Sequence, residues 1–109
     1  MNDRALRKTI YREAARPTLI KTTRGRDLAL TGTIWIDPFS GAVVKSEMNA
    51  ADPAVRCQVV VTFRRDDALE MWVPDKMEEY YKAALAVDDI LATATYTNVR
   101  KYRRSDLER

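Results

Sequence analysis

Three pairs of adjacent carboxylates, Asp66 with Asp67, Glu78 with Glu79 and Asp88 with Asp89, are the sequence's nearest approach to acid/base chemistry. General acid/base catalysis needs two groups that converge on one reacting atom, and neighbours on an extended strand point to opposite faces. Each pair therefore reads as a turn or a solvated strand face. Ser40, Ser46 and Ser105 are candidate nucleophiles by type, yet the chain has no histidine to activate them and no Ser-x-x-Lys spacing. Cys57 is the only cysteine, which excludes an intramolecular disulfide and a cysteine-based metal site. Its setting, "RCQVVVTF", makes it a small buried hydrophobe. Neither "RRDDA" nor "VDD" has the oxygen-ligand spacing of a calcium loop. No catalytic residue, metal site or cofactor is expected, and the chain reads as non-enzymatic.

Binding chemistry is better represented. Trp35, Phe39, Trp72, Tyr80, Tyr81, Tyr96 and Tyr102 offer flat aromatic surface, and "YTNVRKYRR" interleaves two tyrosines with Arg100, Lys101, Arg103 and Arg104. Aromatics flanked by cations can stack the bases of a single strand, so Arg100 to Arg104, with Tyr102, form one candidate nucleic-acid surface. Aromatics at alternating strand positions serve cross-strand packing more often, and this reading stands second.

Composition fits a single folded domain. The chain has 109 residues, 46% hydrophobic and 32% charged, which is too apolar for intrinsic disorder. Lys and Arg number 19 against 16 Asp and Glu, a net charge of +3, so attraction to polyanions is weak and of mixed sign. No run of 18 apolar residues occurs and "MNDRALRKTI" lacks the apolar stretch of a signal peptide, so the chain as written is expected neither to span a membrane nor to carry an export address.

The elements that would position any binding surface follow period two. In "LALTGTIWI", Leu28, Leu30, Ile34 and Ile36 alternate with Ala29, Thr31, Thr33 and Trp35, as a strand requires. "DPFSG" turns the chain and "AVVKSEM" resumes the pattern, predicting a hairpin. "NAADPAV" reads as a polar connector. A second hairpin follows, from "RCQVVVTFR", with Cys57, Val59, Val61 and Phe63 on one face, through "RDDA" to "LEMWVP", with Leu69, Met71 and Val73 on one side.

"KMEEYYKAALAVDDI" has helix-forming composition, but Pro74, the two tyrosines and the β-rich "ILATATYTNVRKYRR" that follows favour a strand to about Leu85, with helix the competing reading for residues 76–86. Upstream, "LRKTIYRE" and "TLIKTT" read as two short strands joined through "AARP", where Pro17 keeps Arg16 extended. The expected fold is all-β: a curved antiparallel meander of about seven strands, a partial or half barrel with little helix.

Several of these strands are bulky on both sides, with Trp35 opposite Ile34 and Ile36, and Val60 opposite Val59 and Val61. A sheet of that kind needs a second layer, and the sequence offers no secure helix to supply one. The cover is expected to be a symmetric copy or an apolar ligand. The candidate apolar wall is Ile34, Ile36, Val59, Val61, Phe63, Met71 and Val73, with Trp35 and Trp72 in the opposite layer.

The order "GTIWIDPFSGAVVKSEM", "VVVTFRRDDALEMWVPDKMEEYY" and "ATATYTNVRKYR", spanning residues 25 to 104, resembles the C-terminal stretch of bacterial envelope proteins with a half-barrel similar to the outer-membrane lipoprotein carriers. The resemblance implies a curved antiparallel sheet whose concave side forms an apolar cavity for acyl chains, and a periplasmic setting. Relative to that pattern the chain lacks the leader, the N-terminal strands and the plugging helices, which implies a fragment of a larger half-barrel domain or a reduced form of it. Unpaired edges and an uncovered face would then favour a homodimer or higher homo-oligomer.

Overall fold

The computed structural model describes residues 5–22, 24–83 and 89–102. All regular structure among them is β: β1 (Arg7–Arg12), β2 (Ile20–Lys21), β3 (Asp27–Leu28), β4 (Thr31–Ile36), β5 (Val43–Ala51), β6 (Val55–Asp66), β7 (Met71–Ala83) and β8 (Ile90–Thr95). Six of these form one sheet in the order β1-β4-β5-β6-β7-β8, and β2 with β3 forms a separate two-stranded ribbon. Every pairing is antiparallel. The large sheet is a meander with one detour, since β1 pairs with β4 and the ribbon is the excursion between them. It stays open, with β1 and β8 as its edges. Its smallest extent of 30 Å is about three times the ~10 Å thickness of one sheet layer, so the layer twists and curls.

The turns are built by acidic side chains. Asp37 N–H donates to the Ala42 carbonyl (2.9 Å), and the Asp37 carboxylate accepts from Phe39 N–H (2.9 Å). Gly41 takes the left-handed φ of 74° that closes this loop, which only glycine adopts without cost. The expected polar connector is shorter than the sequence suggests, because Asn49, Ala50 and Ala51 continue β5. Only Asp52 to Ala54 turn the chain, and the Asp52 carboxylate accepts from the N–H groups of Ala54 (2.7 Å) and Val55 (2.8 Å). A single aspartate can thus cap a three-residue turn, so alternation carries further than turn-prone composition predicts.

Two strands differ in length from expectation. "LALTGTIWI" is broken after Leu28, so its first part pairs in the ribbon and its second in the sheet. "LEMWVP" and "KMEEYYKA" are one strand, β7, which passes through Pro74 by shifting register between Thr62 and Phe63 of β6 and leaving Asp75 as the extra residue. Residues 76–83 are strand, as preferred over helix, while the rest of that segment to 86 lies outside the described residues. β8 stops at Thr95; Tyr96 makes one last bond, N–H to the Asp75 carbonyl (2.9 Å), and residues 97–102 leave the sheet.

Buried apolar side chains are few: Leu28, Leu30, Ala50 and Val73 among the described residues. Leu28, Leu30 and Ala50 cluster with Met48, Val55 and Cys57 against them. The ribbon and its link to β4 therefore cover one end of the sheet, and Cys57 packs there half-buried rather than buried as expected.

At the β6–β7 turn Glu70 holds φ at 56°, a left-handed conformation that costs a side-chain-bearing residue about 1 kcal/mol. Replacing Glu70 by Gly is expected to raise stability by about 0.5–1 kcal/mol, read as a higher urea midpoint at unchanged slope.

Candidate functional site: an open apolar sheet face

Residues directly across from one another in an antiparallel pair share a face, so the registers sort the side chains of the sheet. One row runs Thr9, Ile34, Ser46, Val61, Met77, Ala94, and the next runs Tyr11, Gly32, Met48, Val59, Glu79, Ala92. A third contains Ala50, Cys57, Tyr81 and Ile90. This face carries few charges; Glu79, Arg65 on β6 and, at the β1 corner, Arg7 are its ionised groups within these registers. Gly32 is buried where a Cβ would run into the Tyr11 hydroxyl and the Glu47 carbonyl, so the Tyr11 ring fills the place of the missing side chain.

The opposite face is polar. It carries Lys8, Lys45, Glu47, Gln58, Glu78 and Lys82, among others. Two of its apolar members, Trp35 and Val60, are flanked by charged neighbours. Trp35 lies between Lys8 and Lys45, whose ammonium groups sit 5.9 and 4.9 Å from the ring centroid. Such pairing stabilises a half-buried indole by both the lysine stems and the cation–π attraction. Val60 lies between Glu47 and Glu78. Gln58 Nε2 donates to Glu47 (2.9 Å) and to Asn49 Oδ1 (3.0 Å), knitting β5 to β6. Trp35 and Val60 are thus sheltered on this face, while Ile10 (74%) and Leu91 (77%) stay exposed on it.

The expected wall residues divide. Ile34, Ile36, Val59, Val61 and Phe63 lie on the apolar face. Met71 and Val73 do not, because the extra residue at Asp75 reverses the alternation of β7. They pair with Asp66 and Arg64 on the polar side, where Val73 is buried to 3% and Arg64 reaches Asp66 (3.4 Å) and Asp75 (3.5 Å). Trp72, placed by the sequence in the opposite layer with Trp35, faces with Arg65 and Phe63 instead. Met48 and Met77 complete the apolar rows outside the expected wall, joined by Tyr81 of the aromatic set; the alternation of "KSEM" and "MEEY" is the sequence signal for them. Arg100, Lys101 and Tyr102 are exposed beyond the end of β8, and Arg103 and Arg104 lie outside the described residues.

The candidate chemical groups are engaged structurally. Glu78 and Glu79 face opposite sides of the sheet. Asp66 accepts from Leu69 N–H (3.0 Å) and Asp67 pairs with Arg65 (3.9 Å), while Asp88 and Ser105 are outside the described residues. Ser40 accepts from Ala42 N–H (3.2 Å) in its turn, and Ser46 sits between Ile34 and Val61. Burial, then the nearby Glu79 carboxylate, raises the Tyr81 hydroxyl above its usual range; Tyr80 is raised first by its hydrogen bond to Asp89 (2.7 Å). Among the described residues no three His, Cys, Asp or Glu side chains gather to hold a metal, and no helix is long and apolar enough to cross a membrane.

The ribbon that covers one end of the face is held by Asp27. Its carboxylate accepts from Lys21 Nζ (2.9 Å) and Thr18 N–H (2.8 Å), and Thr18 Oγ1 in turn accepts from Leu28 N–H (2.9 Å). Glu13 ties the ribbon to the sheet by accepting from Leu19 N–H (3.2 Å) and Leu30 N–H (3.1 Å).

No protein-family model, curated protein or solved structure matches this chain.

The Lys21 and Thr18 bonds lower Asp27 from 3.8 to about 2. A depressed carboxylate contributes stability that is complete above its ordinary value and is lost as pH falls through the folded value. The ribbon is therefore expected to loosen between about pH 4 and pH 2, read as lost amide-exchange protection at Thr18 and Leu28. Asp27→Asn should remove that acid step and lower protection at neutral pH.

Proposed function

We propose that this chain is a non-enzymatic binding module whose working surface is the open part of the apolar sheet face, able to take a lipid-like or acyl group or a copy of itself. The observation that carries the reading is the pair of rows centred on Val59 and Val61, in which Glu79 is the one charged side chain, together with the absence of a layer packed on them beyond the ribbon's contact with Met48 among the described residues. Away from the ribbon, the closest contacts between elements are made by hydrogen-bonded neighbours within the sheet, so that part of the described structure is one layer thick. A soluble protein rarely leaves a contiguous apolar patch of that kind unless something binds there. The resemblance to half-barrel lipoprotein carriers points in the same direction, since it implies an apolar cavity for acyl chains on the concave side of a curved sheet.

Purification without detergent followed by native mass spectrometry tests the reading. Added mass of an acyl-bearing molecule or an integer multiple of the 12.5 kDa chain is expected, and either should be lost in Val61→Asp. A folded wild-type protein that flies as the bare monomer, and that gains no mass from added fatty acid, would contradict it.

A further inference from the structure

We infer that the hollow beside the ribbon takes the anionic head of an amphiphile whose tail lies along the apolar face. This rests on the reading above and names the class of ligand: a single oxyanion, carboxylate or phosphate, on an acyl or alkyl chain.

The hollow holds about 560 Å³, within the ~300–1,000 Å³ of small-ligand sites, and its lining has two halves. The ribbon supplies Lys21, Thr22, Arg24 and Arg26, and the end of the sheet supplies Ala54, Val55 and Ala83. Asp52 is the one carboxylate on the lining, and it already accepts from the N–H groups of Ala54 and Val55. The Lys21 ammonium is held by Asp27 (2.9 Å), whereas Arg24 and Arg26 pair with no carboxylate among the described residues. Their turn is braced: the Thr22 carbonyl accepts from Gly25 N–H (2.9 Å), and Thr22 Oγ1 accepts from Arg26 N–H (3.1 Å). A guanidinium offers a fork of N–H donors that fits a carboxylate or a phosphate, so two unpaired arginines beside an apolar floor call for an anion with an apolar body.

The apolar half continues into the sheet. Val55 pairs with Ala83, and the same face runs on through Cys57 with Tyr81 and Val59 with Glu79 to Val61 with Met77. The six residue steps from Val55 to Val61 cover about 20 Å at ~3.4 Å each, against about 15 Å for one acyl layer, half of a ~30 Å hydrocarbon core. A single chain needs only this strip, far less than the ~800 Å² per partner of a protein interface.

The charges set the direction of the ligand. Glu79, midway along the strip, repels an anionic head, and at the far end Arg65 is already paired with Asp67 (3.9 Å). The head therefore belongs at the ribbon and the tail toward Val61. A neutral amphiphile would leave Arg24 and Arg26 without a counter-charge.

Isothermal titration calorimetry of the full chain at low salt tests this with 1-decanol, decanoate, decyl phosphate and inorganic phosphate, far-UV circular dichroism confirming a folded sheet in each variant. At least one of the two anionic amphiphiles should bind about tenfold or more tightly than decanol, and the tighter one identifies the head. That advantage should vanish in the double variant Arg24→Gln, Arg26→Gln, with decanol binding unchanged. Val61→Asp should weaken decanol and the anionic amphiphiles alike. Equal binding of decanol and both anions would overturn the head site while leaving the apolar face a working surface, and so would an advantage that survives the double variant. Inorganic phosphate that binds as tightly as decyl phosphate, or full decanol affinity in folded Val61→Asp, would remove the tail from the strip and the inference with it. No binding of any amphiphile would end the lipid reading of the face as well.

Discussion

An antiparallel sheet buries apolar side chains only against a second layer, and the described residues fold such a layer over one end of the sheet alone. The ribbon of β2 and β3 brings Leu28 and Leu30 down on Ala50, Met48, Val55 and Cys57, and there the cover ends. Everything else follows from the imbalance. The polar side shelters part of its own apolar surface, with lysines beside Trp35 and an arginine across from Val73. The other side presents Ile34, Val59, Val61 and Met77 with no layer of described residues above them.

The cover that does exist depends on a small polar device. Asp27 gathers the Lys21 ammonium and the Thr18 amide, while Thr18 holds the Leu28 amide, so the backbone of the ribbon is satisfied without a long strand pair. Glu13 fastens the same ribbon to the start of the sheet. A two-stranded ribbon is marginal on its own in water, and these side chains together with the leucines beneath make it part of the fold. Its reach sets where the apolar face is closed and where it is left open.

Much of the architecture was legible in the residues. Period-two alternation gave the strands, and the all-β antiparallel meander is observed. Alternation failed where the backbone departs from it: the extra residue at Asp75 moves Trp72 to the apolar side and Met71 and Val73 away from it, and no residue type near Pro74 announces a register shift of one. The reading of both faces as bulky missed local shelter of a different kind. Trp35 and Val60 look unprotected in a linear reading, because the lysines and glutamates that flank them come from neighbouring strands and only register reveals them. The turn at Asp52 was overestimated in length for a third reason, since one carboxylate accepting two amide protons does the work of a longer loop.

The central claim is that this sheet borrows its second layer from another molecule. Its most direct test is the thermal midpoint of unfolding as a function of added decyl phosphate and of protein concentration, in buffer free of other lipid and detergent. Mass action requires the midpoint to climb by several degrees over a hundredfold increase in whichever molecule supplies the layer. A midpoint that is high, reversible and indifferent to both in protein shown to carry no ligand would mean that the sheet is complete alone.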